Sequence, residues 1–308
     1  MMDYNVLAEL LAATVRVAAP LIFVALGAVL SESAGTFAVG VEGMMLMGAF
    51  SGAVLTFVTK SWAFGLLGSA MSGAALALIV AIATARFRTD HMVTGLSVNI
   101  LALGLTSYLL RGLFGGKTPV INLPTLDAIQ IPWLCNLPLI GRALFEQSLL
   151  TYAAFFLVIP MHLFLKKTQT GLMLRAVGEN PAAAFSAGTD PIRVRAVAII
   201  VCGAFAGLGG AVLSLQELGT FTDGMTNGRG FIALAAVIIG RWQPLFVMLG
   251  CLLFGAASAL AFNLQGWSLP ISSYVIQMTP YLLALAVLCG IGRRARMPAA
   301  IGRSFTRN

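Results

Sequence analysis

Two carboxylates, Glu32 and Glu42, stand in the otherwise apolar stretch SESAGTFAVGVEGMMLMGAF at residues 31–50. An acid in an apolar medium is costly unless it is paired, hydrogen-bonded or able to take up a proton. Three kinds of chemistry fit such a group: proton relay, contact with a passing polar solute, or capture of unpaired backbone N–H groups at a helix start. Ser97 and Asn99 in GLSVNILALG, and Gln216 in VLSLQE, are further polar groups within or beside apolar runs. Ser97 and Asn99 are two positions apart and so point to different sides of one helix. At most one of them lines a path directly, and Asn99 is the better candidate because an amide pairs with hydroxyls and base edges. Met44, Met45 and Met47 place soft, adaptable surface beside Glu42, suited to helix packing or to a solute.

Enzyme chemistry finds no footing. His91 and His162 stand alone, without an HExxH pattern or a serine elbow, and are expected at helix ends in the interface. GLFGGKT at residues 112–118 is one residue short of a phosphate-binding loop and follows an apolar helix rather than a strand. Cys135, Cys202, Cys251 and Cys289 are widely spaced with no CxxC pair, which fits small buried residues better than a metal or redox site. No metal site and no cofactor of this chain's own is expected.

The elements that position these groups follow from hydropathy. Of 308 residues, 59% are hydrophobic and 10% charged, against roughly 25% charged in a soluble domain. Mean hydropathy is +0.93. Only helices satisfy all their backbone groups within a single span, and each needs about 20 apolar residues. Nine apolar segments are legible, near 10–30, 40–59, 62–85, 92–112, 148–166, 192–217, 230–241, 244–265 and 273–292, the seventh short for a full span. The expected fold is therefore an all-α polytopic helical bundle of about nine transmembrane or half-spanning segments, forming one domain over residues 1–308.

Lys166, Lys167, Arg175, Arg193 and Arg195 sit in one loop, and Arg293, Arg294, Arg296, Arg303 and Arg307 lie after the last segment. The positive-inside rule makes both regions cytoplasmic and places residues 113–147, with Trp133, outside. An odd count leaves the N-terminus outside, and its apolar stretch lacks the marks of a cleaved leader. Topology thus accounts for the net charge of +8, and no nucleic-acid partner is expected. Gly48 and Gly52 in GAFSG, and Gly203 and Gly207 in GAFAG, carry the small-residue spacing that lets helices approach closely in lipid.

The cytoplasmic loop, 167–195, carries punctuation. Asn180–Pro181 reads as a helix start, PAAAFSA as its body and Gly188 as its end; Asp190–Pro191 repeats the start signal. A two-turn helix is unstable by itself and needs a docking surface. That surface is the chain itself, lipid headgroups, or a soluble partner.

RAVGENPAAAFSAGTDPIRVR followed by GAFAGLGGAVLSL, with GVEGMMLMGAF earlier and RGFIALAAVIIGRWQP later, resembles the permease subunit of bacterial ABC importers of the ribose and branched-chain amino acid permease family. The nucleoside-type branch, which works with a lipoprotein of the basic membrane protein class, is the nearest, and the likeness runs from about residue 15 to 292. The resemblance implies a multi-pass protein of the bacterial inner membrane that imports nucleosides or related purine compounds. It also implies a cytoplasmic ATPase that binds the ATP, a second permease subunit, homologous but a different chain, and an extracytoplasmic substrate-binding protein. Coupling to the ATPase then falls to Arg175, Gly178, Glu179, Asn180, Pro181, Ala182, Ala183 and Gly188, and the translocation path to Glu42, Met45, Ser97 and Asn99. Ribose-like monosaccharides, a proton-coupled transporter using Glu42 or Glu32, and a membrane anchor without transport are the alternatives. Asp223 and Arg229 in FTDGMTNGRGF either bond to each other or meet the binding protein.

A helix starting near Gly40 puts Glu42 in its first turn, where a carboxylate can bond that helix's own N–H groups or touch solute. Glu32 falls nearer the inner surface, where charge costs little. A break over SAGTFAVG should line a cavity or be packed in protein.

Overall fold

The computed structural model describes residues 2–115, 128–130, 141–266, 273–291, 297–303 and 305. The chain opens with α1 (Met2–Ser33), α2 (Val41–Thr59), α3 (Trp62–Arg86) and α4 (His91–Phe114). Strand β1 (Ala128–Gln130), the short helix α5 (Gly141–Phe145) and strand β2 (Glu146–Ser148) follow. Next come α6 (Leu149–Lys167), α7 (Gln169–Glu179), α8 (Pro181–Ser186) and α9 (Pro191–Ala211), the last continued by a π-helical turn at Val212–Glu217. The final helices are α10 (Arg229–Ile239), α11 (Pro244–Gly266), α12 (Ser273–Gln277) and α13 (Thr279–Ile291).

The apolar segments are helical, the one expected at 273–292 divided into α12 and α13, and among the described residues seven helices are long and apolar enough to cross a membrane. The protein is a polytopic helical membrane protein. The strands among the described residues form the β1–β2 ribbon, antiparallel with Ala128 opposite Ser148. Most of the expected outer loop, including Trp133 and Cys135, lies outside the described residues.

Helix α1 is the centre of the bundle: Ala18, Ala19, Val24, Ala25, Ala28 and Val29 are fully buried. Beside it, α2, α3 and α9 pack almost backbone to backbone. A Cβ on Gly48 would lie 2.4 Å from Gly207 Cα, and one on Gly203 2.4 Å from Gly73 O. Both small-residue pairs therefore serve helix packing, as lipid demands where no hydrophobic drive exists between helices. Of GLFGGKT, Gly112 is still helical and Gly115, at φ +63°, caps α4, while residues 116–118 lie outside the described residues. His91 begins α4 but is buried, and His162 lies inside α6 rather than at its end. Cys202 and Cys251 are buried, whereas Cys289 is exposed.

Candidate translocation and coupling sites

Between α1 and α2 the chain leaves helix at Ala34 and resumes at Val41. Gly35, at φ +87°, makes the turn that a residue with a Cβ would resist. Backbone freed by such a break must find partners, because lipid offers none. It finds them far away in sequence. Asn99 in α4 donates from Nδ2 to Val39 O at 3.0 Å and accepts at Oδ1 from Gly43 N at 2.8 Å. Arg195 in α9 donates from Nε to Ala34 O at 3.1 Å. Locally, Thr36 Oγ1 donates to Ser31 O at 2.7 Å.

The two acids flank this break, and each holds one end of α10. Gly228, the residue before α10, has φ +76° and no side chain to cap the helix, so the first N–H groups need an outside acceptor. Glu42 supplies it: Oε1 accepts from Gly228 N at 2.8 Å and Oε2 from Gly230 N at 2.7 Å. The expected bond from Glu42 to its own helix start is absent among the described residues, since α2 has no side-chain cap. Gly230 lets the two helices meet, because a Cβ there would lie 2.8 Å from Glu42 Cα.

At the other end of α10, Arg241 and Trp242 both take left-handed φ values, +53° and +57°, unusual for residues with a Cβ. That turn aims the Trp242 indole N–H at Glu32 Oε2, 2.7 Å away. Glu32 is 3% exposed and also takes the Ala38 N–H. Its expected place at an inexpensive inner surface is thus corrected: Glu32 is buried in protein and bonded to the turn that ends α10. Helix α10, with 11 residues, rises about 16 Å, roughly half the hydrocarbon thickness. It is too short for a full span and is held at both ends by acids that flank the break.

A cavity of about 280 Å³ opens beside the N-terminus of α10, lined by Glu42, Asn99, Leu103, Thr226 and Asn227 among others. Ser97 is exposed on α4 and bonds Val93 O of its own helix at 2.8 Å. Met45 is fully enclosed and lines no part of this cavity. Gln216 donates to Thr151 Oγ1 at 2.7 Å. Asp223 and Arg229 do not bond to each other: Asp223 accepts from Ser107 at 2.6 Å, and Arg229 pairs with Glu217 at 2.6 Å.

A second cavity, about 190 Å³, lies on the other side of Asn227 and carries the side chains of Arg229, Ser258, Gln265, Gln277 and Tyr281. Tyr281 donates to Asn227 O. Sequence reasoning passed over Gln265 and Gln277, single polar residues near helix ends that give no periodic signal.

On the face of the long loop, punctuation becomes geometry. Asn180 accepts from Ala183 N at 3.0 Å and starts α8, Pro181 is its first residue, and Gly188 at φ +86° follows its end. Asp190 accepts from Ile192 N at 3.1 Å and starts α9. Helix α7, capped by Thr168 through Gly171 N at 3.0 Å, is the element that sequence reasoning missed. Its signal was present as Thr168 ahead of Gly171 and Leu174, whose faces are buried. Arg175, Glu179, Asn180, Ala182, Ala183 and Gly188 are exposed and Pro181 half-buried. Gly178 is buried instead, with a Cβ there falling 2.1 Å from Ser33 O.

Long apolar helices packed through glycines, around a helix too short for a full span and a protein-packed break, define a multi-pass membrane permease. The chain belongs to the family described as branched-chain amino acid transport system / permease component, whose model matches residues 10–288. It is 35% identical to the guanosine ABC transporter permease protein NupQ of Bacillus subtilis, over 97% of this chain and 96% of that one. It is 36% identical to the nucleoside ABC transporter permease protein NupC of Lactococcus lactis, over 94% of each. A putative glucose ABC transporter permease protein, TsgC13 of Haloferax volcanii, is 33% identical over 97% of this chain and 98% of that one. A second permease in each of the two bacteria also matches, NupP at 27% and NupB at 25% identity. They cover 89% and 78% of this chain, and the match spans 79% and 69% of their own lengths. The family makes this chain a permease subunit rather than an enzyme, which sets aside the proton-coupled transporter and the passive anchor.

Proposed function

We propose that the chain is the translocation subunit of an ATP-driven importer for nucleosides or related purine compounds in a bacterial inner membrane. The observation that carries the substrate class is the near-full-length likeness to two permeases named for guanosine and nucleosides. The glucose permease relative supports monosaccharides as the second reading. Two matching permeases in each of those two bacteria support a partner permease that is homologous but a different chain. An extracytoplasmic binding protein delivers solute, and a cytoplasmic ATPase binds and hydrolyses the ATP.

In this reading the loop 167–195 couples the ATPase to the membrane, with residues 113–147 on the outer side. Arg175, Glu179, Asn180, Pro181, Ala182, Ala183 and Gly188 meet the ATPase, while Gly178 passes the movement inward. Exposure of all but Pro181 and Gly178, and the rigid caps of α8, support this. Solute passes Glu42, Asn99 and Ser97, with Met45 one turn behind Glu42. A ligand shifts a conformational equilibrium only by its differential affinity for the two states, so ATP acts through whatever α8 touches.

Reconstitution into vesicles with the ATPase, second permease and binding protein tests the reading. ATP should drive guanosine uptake, and glucose should neither enter nor compete. Uptake driven by a proton gradient without ATP would overturn it, and glucose uptake in place of guanosine would select the second reading. Replacing Pro181 and Gly188 with bulky residues should abolish uptake while membrane insertion persists.

A further inference from the structure

On sequence alone the arginines after residue 292 carry topology and nothing more. The structure gives the stretch that follows them a second task. Ala300 N donates to Gly178 O at 2.9 Å, and Gly302 N donates to Gly35 O at 3.0 Å. The first acceptor ends α7, next to α8; the second is the turn of the membrane break. Phe305 packs its ring against Phe185 of α8, with centroids 5.7 Å apart. Arg195 locks the junction. Its guanidinium, 6% exposed, donates from Nε to Ala34 O at 3.1 Å, from Nη1 to Arg303 O at 2.6 Å and from Nη2 to Ala300 O at 3.2 Å.

A buried guanidinium is expensive, and an acid is its ordinary partner. Among the described residues Arg195 has none, and its donors go to carbonyls of two separate segments. Its planar fork fixes those carbonyls in one geometry, so the cost is spent on position. Gly35 and Gly178 meet without side chains between them: a Cβ on Gly178 would lie 3.2 Å from Gly35 N. Backbone bonds cannot slip to another rotamer, so they tie the end of α7 to the break, and the Phe185–Phe305 contact adds α8 to the junction.

We propose that residues 298–303 with Phe305, locked by Arg195, form a strap that carries movement of the α8 region into the break and so to the Glu32–α10–Glu42 clamp. Arg195 and Ala300 are positioning residues for transport and touch neither solute nor ATPase. The proposal rests on the reading of 167–195 as the coupling loop.

The test uses the full complex in vesicles and reads guanosine uptake and ATP hydrolysis together. A chain ending at Arg296, Ala300→Pro, which removes the N–H donated to Gly178 O and fixes φ at that position, Arg195→Leu and Arg195→Lys are compared with the parent. The first three should lower uptake per ATP at least tenfold while ATPase co-purification and hydrolysis stay within about twofold. Arg195→Lys, which keeps a cation but loses the fork, should fall between. Ala300→Pro keeps every acceptor of Arg195 and neither it nor the truncation changes a residue of the spanning helices, so these two decide the matter should Arg195→Leu fail to insert. An unchanged uptake-to-ATP ratio in those two overturns the strap, as does loss of ATPase co-purification in step with uptake. If the bulky Pro181 and Gly188 variants transport normally, the coupling loop itself fails; if they are inactive while the truncated chain is normal, only the strap fails.

Discussion

The break at residues 34–40 and the exposed stretch at 180–190 both interrupt long helices, yet they settle their backbone differently. In the exposed turn Asn180 and Asp190 cap the very helices they introduce, within two or three residues. In the break the N–H groups of residues 34–36 bond back to α1, but carbonyls of Ala34, Gly35 and Val39 go to Arg195, Gly302 and Asn99, and Glu42 in turn serves a helix that begins at Arg229. Water stands in for a missing cap at a surface, and nothing does so inside a bilayer. A buried interruption therefore recruits side chains from the whole fold, and its failure should be felt by the whole fold.

The largest effect should come from Glu42→Ala, which leaves the N–H groups of Gly228 and Gly230 without an acceptor. At about 1–3 kcal/mol for each unsatisfied buried group, the loss is about 2–6 kcal/mol. Thermal unfolding in detergent should drop by many degrees; a midpoint within a degree of the parent would remove the clamp from the account. Asn99→Leu comes next, stranding Gly43 N and Val39 O; the same count gives about 2–6 kcal/mol, and the smaller loss is expected because a neutral amide rather than a carboxylate is removed. If its midpoint fell no further than that of an exposed polar-to-Leu change such as Ser97→Leu, the distant-partner argument would lose its main support.

Trp242→Phe keeps the ring and removes one donor from Glu32, so about 1–2 kcal/mol is expected. A chemical-denaturation series on the purified protein would detect it, and an increase in stability would mean that the left-handed turn at Arg241 and Trp242 costs more than its hydrogen bond returns. Smallest is Asn180→Ala, about 1 kcal/mol of local helix stability. Hydrogen exchange should quicken in α8 alone while the global midpoint stays put. Global destabilisation as large as that of Asn99→Leu would erase the contrast between the two interruptions.

Legibility in the sequence follows the same divide. Asn180–Pro181, Gly188 and Asp190–Pro191 announced their helices because capping is a short-range event. The nine apolar segments announced theirs because a span must be long and apolar. Helix α7 went unread because its buried face, with Gly171 and Leu174, is set by packing against neighbours rather than by a continuous apolar run. Glu42 was placed correctly in the first turn of a helix, yet the helix it caps is another one, and no local spacing connects residue 42 with 228 and 230. Glu32 was misjudged for the same reason, since its partner Trp242 is reached only when α10 folds back along α1.

Sequence by itself determined the membrane class, the helical segments, the glycine seams and the local caps, all governed by composition or by contacts within one helical turn. Only the tertiary structure decided that two acids grip one short helix, that Asn99 closes the break and that Arg195 ties residues 34, 300 and 303 together. Those choices depend on which distant polar group the folded chain brings within hydrogen-bond reach of an orphaned one. In a solvent that supplies no substitute, packing alone makes that choice.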